Sequence, residues 1–171
     1  MDLKEVIRDI PDFPHEGILF RDITPVLHDP EALKASIDQM KALLGGIGFD
    51  LFAGPESRGF IFSTPLAYDM GKGFIPVRKA GKLPGKTVRK EYDLEYGSAT
   101  IEIHADAIKP GQRIVVADDL LATGGTCRAL CQLIEEMGGQ VAACIFLIEL
   151  EGLNGREMLK GYQVHSVVKY Q

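Results

Sequence analysis

Apolar residues change their spacing several times along this chain, and each change marks an element. Leu3, Val6, Ile7 and Ile10 recur at helical intervals and predict a short first helix ending before Pro11. Gly17-Ile18-Leu19-Phe20 is a brief apolar stretch, followed by Arg21-Asp22-Ile23-Thr24-Pro25. Asp29 stands at an N-cap position and Pro30 opens a helix whose apolar face is Leu33, Ile37, Met40 and Leu44. Leu51-Phe52-Ala53 reads as a buried strand ending at Gly54-Pro55, and a helix from near Ser57 carries Ile61, Leu66 and Met70. Phe74-Ile75-Pro76-Val77 is the next strand. Residues 78 to 97 form a long polar connection without helical periodicity, and Ala99 to His104 alternates as a strand does. Ile114 to Ala117 is a third buried strand. The helix after it shows in Leu130, Leu133, Ile134 and Met137 and is stopped by Gly138-Gly139. Val141 to Ile148 and Val164 to Val168 complete the set. Strands alternating with helices predict an α/β fold around a mainly parallel sheet, with any ligand beyond the carboxyl ends of the strands.

Composition narrows the class. A chain of 171 residues with 46% hydrophobic content is expected to form one soluble domain, residues 1 to 171. The longest apolar run, Val141 to Ile148, is far too short to span a bilayer, and the charged, amphipathic first residues are unlike a signal peptide. Three cysteines, Cys127, Cys131 and Cys144, are an odd, sparse set and point to reduced thiols in the cytoplasm. Cys127 and Cys131 share a helix face, where core packing is expected rather than a metal. A net charge of −5 argues against general affinity for nucleic acid.

Chemistry concentrates where the third buried strand ends. Asp118-Asp119 follows four apolar residues, and Leu120-Leu121-Ala122-Thr123-Gly124-Gly125-Thr126 leads into a helix. Adjacent carboxylates repel, so a partner must offset that; sugar hydroxyls would do so. Unpaired backbone N–H groups at the helix start favour an anion, so the segment reads as a ribose-5-phosphate site. Gly54-Pro55-Glu56-Ser57-Arg58-Gly59 lies at another strand end and offers backbone donors plus a guanidinium. The 78 to 97 connection holds six basic residues between positions 78 and 90, and its length suggests a lid. Within it, Gly81-Lys82-Leu83-Pro84-Gly85-Lys86-Thr87 imitates a P-loop but is one residue short and lacks the following helix.

These segments resemble the type I phosphoribosyltransferases, and the wording from Asp118 to Thr126 is close to that of the adenine-using branch. The likeness runs in order from Phe13-Pro14 and Phe20-Arg21-Asp22 through Ser57-Arg58-Gly59 and Leu94-Glu95-Tyr96-Gly97 to Thr126. It implies transfer of 5-phosphoribose from 5-phosphoribosyl-1-diphosphate (PRPP) to adenine, giving AMP and pyrophosphate. It implies a small N-terminal hood within residues 1 to 30, a flexible catalytic loop at 78 to 97, and a homodimer. By resemblance, Asp118, Asp119, Ala122, Thr123, Gly124, Gly125 and Thr126 hold ribose-5-phosphate, and Ser57, Arg58, Arg78 and Lys82 meet pyrophosphate. Leu19, Phe20, Arg21 and Leu120 surround adenine. Glu95 is the catalytic acidic residue and Tyr96 belongs to the loop. An unusual cis peptide is implied before the Arg of the Ser-Arg-Gly turn. Mg²⁺ is the implied cofactor, bound through PRPP and water rather than directly by protein. Small molecules, not nucleic acid or membrane, are the expected partners. Phosphoribosyltransferases for other bases are disfavoured by the Phe20 and Glu95 matches. A PRPP-sensing regulator is disfavoured by the lack of a basic DNA-binding segment.

Overall fold

The computed structural model describes residues 1–94 and 96–171. After a 3-10 turn at Leu3–Glu5, two short strands, β1 (Arg8–Pro11) and β2 (Leu19–Asp22), pair antiparallel. Helices α1 (Thr24–His28) and α2 (Pro30–Ala42) follow, and Asp29 caps α2 by accepting from the Glu31 N–H at 2.9 Å. The main body then alternates: β3 (Leu51–Pro55), α3 (Arg58–Met70), β4 (Gly73–Lys79), the hairpin β5 (Thr87–Asp93) and β6 (Ser98–His104), β7 (Arg113–Leu121), α4 (Gly125–Glu136), β8 (Gln140–Leu150), α5 (Gly155–Met158) and β9 (Val164–Tyr170).

Seven strands form one sheet in the order β5-β6-β4-β3-β7-β8-β9. The five from β4 to β9 run parallel, and the β5–β6 hairpin adds an antiparallel edge. The sheet grows in one direction from β3 to β4 and in the other from β7 to β9, so strand order reverses between β3 and β7. A crevice opens outside the strand ends at such a point. Side chains alternate across β7. Val115 and Ala117 pack with Phe52, Phe62 and Met40 beneath α2 and α3, whereas Ile114 and Val116 pack with Leu130, Leu133 and Ile134 of α4. Both faces are covered, which is why the central strands read as continuous apolar runs. Each fully buried Leu, Ile or Phe contributes about 1.5–3 kcal/mol. Among the described residues, no helix is long and apolar enough to cross a membrane.

The structure departs from the sequence expectation in three places. The first apolar set is not one helix: Leu3 and Ile7 are buried, but Ile10 lies in β1. Pairing with β2 wins there, fastened by Arg8 donating to Asp22 at 2.6 and 3.0 Å. The 78 to 97 connection is not structureless, because β5 occupies its centre. Val88, Lys90 and Tyr92 are half-buried, while Arg89, Glu91 and Asp93 point outward, the two-residue period of an edge strand. The acidic pair is not a tip beyond the strand: β7 continues to Leu121, with Asp118 opposite Phe146 and Leu120 opposite Ile148.

One close approach sets the angle of α3. A Cβ on Gly54 would lie 2.3 Å from Ser63 Oγ and 2.8 Å from the Ala117 carbonyl oxygen, which Ser63 also reaches by hydrogen bond. Gly54→Ala is therefore expected to destabilise the protein by about 1–3 kcal/mol. The measurement is a denaturant midpoint, lowered at unchanged slope; an unmoved midpoint would show that α3 retreats without cost.

Candidate active site

Two strand ends and two helix starts converge at the point where strand order reverses. At the end of β7, Asp119 is buried and its Oδ2 accepts from Arg58 Nε at 2.5 Å. Asp118 accepts from the Asp119 N–H at 2.8 Å. Burial, and then the charge of Asp119, push the Asp118 carboxyl well above the usual aspartate range. Space for it exists because Gly59 has no side chain: a Cβ there would stand 3.0 Å from Asp118 Oδ1.

The loop after β7 turns at Gly124, whose φ of +87° is left-handed and favours glycine. Gly124 is the N-cap of α4 and supplies no capping side chain, so the first N–H groups of that helix have no partner from their own cap. A Cβ on Gly124 would meet the Gly155 carbonyl oxygen at 2.6 Å, and one on Gly155 would meet the Ala122 carbonyl oxygen at 2.5 Å. The α5 backbone thus buttresses the loop directly. Arg156 fixes α5 by donating to Glu149 at 2.8 and 2.9 Å and to the Val164 carbonyl at 2.9 Å. Burial opposes ionisation of Glu149, but bonds from Arg156 and Ser166 outweigh it and hold its carboxyl below the ordinary range.

The opposite wall is the turn from β3 into α3. Glu56 accepts from the Lys79 N–H at 2.7 Å and from Arg78 at 3.2 and 3.3 Å. The Lys79 bond, against burial and helped by Arg78, lowers its carboxyl. The peptide between Glu56 and Ser57 is cis. The resemblance implied a cis bond before Arg58; it lies one bond earlier. A cavity of about 410 Å³ is lined by these residues together with Ser57, Arg58, Asp118, Asp119, Ala122, Gly124 and Thr126. Tyr92 of β5 closes one side, its hydroxyl 3.1 Å from Thr126 Oγ1.

A second cavity of about 620 Å³ lies under β1 and β2. Leu19, Phe20, Arg21 and Leu120 line it with Phe13, Ile18 and Ile61. The Phe13 and Phe20 rings meet edge to face at 5.2 Å. The Arg21 side chain is already engaged: it donates to Asp9 at 2.6 Å and lies over the Tyr170 ring at 3.8 Å. The two cavities share Arg58, Asp119 and Leu120.

Most of the residues singled out in the sequence therefore meet in one place. Thr123 lies in the loop and Gly125 opens α4, and neither lines the cavity. Lys82 is exposed in the turn after β4, outside the lining. That turn is held by buried Glu102, which accepts from the Gly81 N–H at 2.7 Å, Thr87 Oγ1 at 2.5 Å and Arg89 at 3.3 Å. Tyr96 is exposed near the hairpin turn, and Glu95 lies outside the described residues. Sequence reasoning missed Tyr92, Lys79, Ile61 and Gly155 as parts of the site. Alternation in β5 was the available signal for Tyr92, whereas nothing local marks Gly155.

A sheet that reverses beside two carboxylates and a bare helix start defines a class of proteins that handle sugar phosphates. The phosphoribosyl transferase domain matches residues 25–167. An adenine phosphoribosyltransferase of Lachnoclostridium phytofermentans is 62% identical over 168 residues, which span 98% of this chain and 97% of that protein. The crystal structure of adenine phosphoribosyltransferase from Thermoanaerobacter pseudethanolicus has a TM-score of 0.96 at 55% identity, with 98% of each chain covered. That of the Saccharomyces cerevisiae enzyme, complexed with D-2,5-dideoxy-2,5-imino-altritol 1,6-bisphosphate and adenine, has a TM-score of 0.91 at 38% identity over 96% of each chain. The chain belongs to the adenine phosphoribosyltransferases, within the type I phosphoribosyltransferase family.

The raised Asp118 carboxyl has a consequence for stability. The folded state takes up its proton more readily than the unfolded chain. Its contribution is therefore full below the ordinary aspartate value of 3.8 and is lost as pH rises through the raised value. At neutral pH the unfolded chain ionises this carboxyl freely while the fold opposes its charge, so the fold carries that cost. Asp118→Asn is expected to be more stable than the parent at pH 7, with the advantage shrinking toward pH 4. Denaturant midpoints across that range test this; a variant less stable at every pH would contradict it.

Proposed function

We propose that adenine and PRPP react where the two cavities meet, at Arg58, Asp119 and Leu120. The reaction is adenine plus PRPP to AMP plus pyrophosphate, a pentosyl transfer of purine salvage. The observation that carries the assignment of sites is the shared wall: an apolar pocket and a polar, anion-suited pocket open on the same three residues. A base in one and a phosphoribosyl group in the other would face each other there. In this reading residues 1 to 171 act as one domain, with a base-binding hood within residues 1 to 30 and a closing arm at residues 78 to 97.

Asp118 and Asp119 hold the ribose hydroxyls, and the backbone from Ala122 to Thr126 holds the 5′-phosphate at the start of α4. Ser57, Arg58 and Arg78 serve the pyrophosphate, with Lys82 reaching it when the arm closes. Pyrophosphate leaves C1′ as the purine N9 arrives, and the ribosyl centre gains oxocarbenium character. The protein's share is orientation and neutralisation of the leaving charge. Arm residues including Tyr96 exclude water, and Glu95 assists proton transfer at the base.

Mg²⁺ fits this cavity in one manner. Among the described residues, the only three ligand side chains that converge are cysteines, so no cage of hard oxygen donors exists. An ion held chiefly by phosphate oxygens and water, beside Asp118 and Asp119, suits its preferences and would offset the pyrophosphate charge. We further infer a cytoplasmic homodimer that acts on small molecules, with no nucleic-acid or membrane partner.

The hood reads the base through backbone. Among the described residues β2 pairs only with β1, which leaves its other edge without a strand partner, and all four β2 residues line the apolar cavity. Adenine offers a donor at N6 and an acceptor at N1; hypoxanthine reverses both. Unpaired buried polar groups then supply discrimination on the order of 10⁴. Adenine is expected to exceed hypoxanthine in kcat/KM by about that factor. In Arg21→Ala the preference persists, while stability falls because the Asp9 and Tyr170 contacts are lost. Comparable use of both bases by the parent would overturn the assignment. Loss of preference in the variant alone would show that the side chain reads the base.

A further inference from the structure

The cysteines of α4 meet a third thiol from the sheet. Cys127 and Cys131 are one turn apart on the helix, and Cys144 faces them from β8. The three Sγ atoms all lie within 4.8 Å of one another, with Cys131 and Cys144 at 3.6 Å. Three sulfurs sharing one centre at metal–thiolate distances of about 2.3 Å stand roughly 3.5–4 Å apart. The cluster therefore needs only small side-chain shifts to close on a single atom.

Two further properties choose the ligand. All three donors are sulfur, which selects soft, thiophilic centres over Mg²⁺. The surroundings are apolar, including Leu130, Ile134 and Phe146, so a charged product is costly. Three thiolates around a monovalent ion leave two negative charges, and around a divalent ion one. Around a trivalent centre they leave none. Access exists as well, because Cys127 lines the phosphoribosyl cavity while Cys131 and Cys144 are fully buried.

From this geometry we infer that Cys127, Cys131 and Cys144 form a buried site for a trivalent thiophilic metalloid, with arsenous acid as its simplest ligand. The reaction is As(OH)₃ + 3 RSH → As(SR)₃ + 3 H₂O. Three As–O bonds break, three As–S bonds form, each thiol proton leaves in a water, and nothing is oxidised or reduced. Cys127 directly follows Thr126, so drawing its sulfur inward disturbs the first turn of α4. Occupancy therefore inhibits PRPP use. That consequence rests on the reading of the 122–126 loop given above; the ligation itself does not.

The test uses the whole enzyme and arsenite alone, free of other thiols. X-ray absorption is expected to show one arsenic per chain with three sulfur neighbours. One or two sulfurs with oxygen, or no stoichiometric arsenic, would overturn the site. Cys131→Ala, checked for folding by adenine turnover, is expected to retain arsenite at least about tenfold more weakly and to escape inhibition. Retention equal to the parent's would also overturn it. Three-sulfur ligation in the parent without inhibition would preserve the site and remove its coupling to the loop.

Discussion

The loop from Ala122 to Thr126 holds its shape because two backbones pass in contact at Gly124 and Gly155. Neither position has room for a side chain, and each would strike a carbonyl oxygen of the other segment. Such an approach needs something to hold it shut. Here it is the Glu149–Arg156 pair, with Arg156 also bound to the Val164 carbonyl and Glu149 also bound by Ser166. Glu149 is buried but the Arg156 side chain is 43% exposed, so desolvation and solvent screening leave the pair little net stability. Its value lies in geometry: it ties the ends of β8 and β9 to α5, and α5 to the loop. The loop before α4 is thus held from the far end of the chain as much as by its own residues.

Charge is arranged before any substrate arrives. Asp119 is matched by Arg58, Glu56 by Arg78, and Glu102 by backbone and hydroxyl donors. Asp118 is the exception, with one N–H from its neighbour and a strongly disfavoured charge. For the proposed anion ligand, guanidinium groups fixed by carboxylates are an advantage, because their ordering cost is met during folding. The same carboxylates temper the positive charge. On the proposed reading, this arrangement would favour a ligand that brings hydroxyls to Asp118 and phosphates to the helix starts together over a bare anion that brings only one.

Much of this was legible in the sequence, and the limits have physical causes. The parallel core announced itself through buried apolar runs, and the Asp118 to Thr126 segment through its joining of charge, glycine and helix start. The first helix failed because Leu3, Ile7 and Ile10 satisfy a turn-plus-strand burial as well as a helical one; the Arg8–Asp22 bond that decides it is tertiary. The β5 strand was masked by its charged residues, since Lys90 sits on the inward face and reaches Glu136 of α4 at 2.5 Å. A lysine can occupy such a position by laying its stem along the core and placing its head at the rim. Gly155 was invisible because its role depends on a backbone thirty residues away in sequence and adjacent only in space. The Cys144 partner of the helix cysteines was hidden for the same reason.

The proposed base pocket under β1 and β2 would have to acquire selectivity with its charged side chains already engaged. Its lining is dominated by Phe13, Ile18, Leu19, Phe20, Ile61 and Leu120, which discriminate size and planarity but not the pattern of exocyclic groups. Of the charged side chains in that lining, Arg21 is engaged by Asp9 and Tyr170, Asp22 by Arg8, and Arg58 and Asp119 by each other. On the proposed reading, polar recognition would fall to the open edge of β2, whose groups are fixed in direction by the strand and need no ordering on binding. Fixing that edge requires β1, and β1 is held by Arg8 to Asp22, a carboxylate that also binds Thr24 at the start of α1. On the proposed reading, base choice would depend on a short ribbon fastened by the Arg8–Asp22 and Arg21–Asp9 pairs. Among the described residues, this cavity and the polar one beside α4 share Arg58, Asp119 and Leu120 alone.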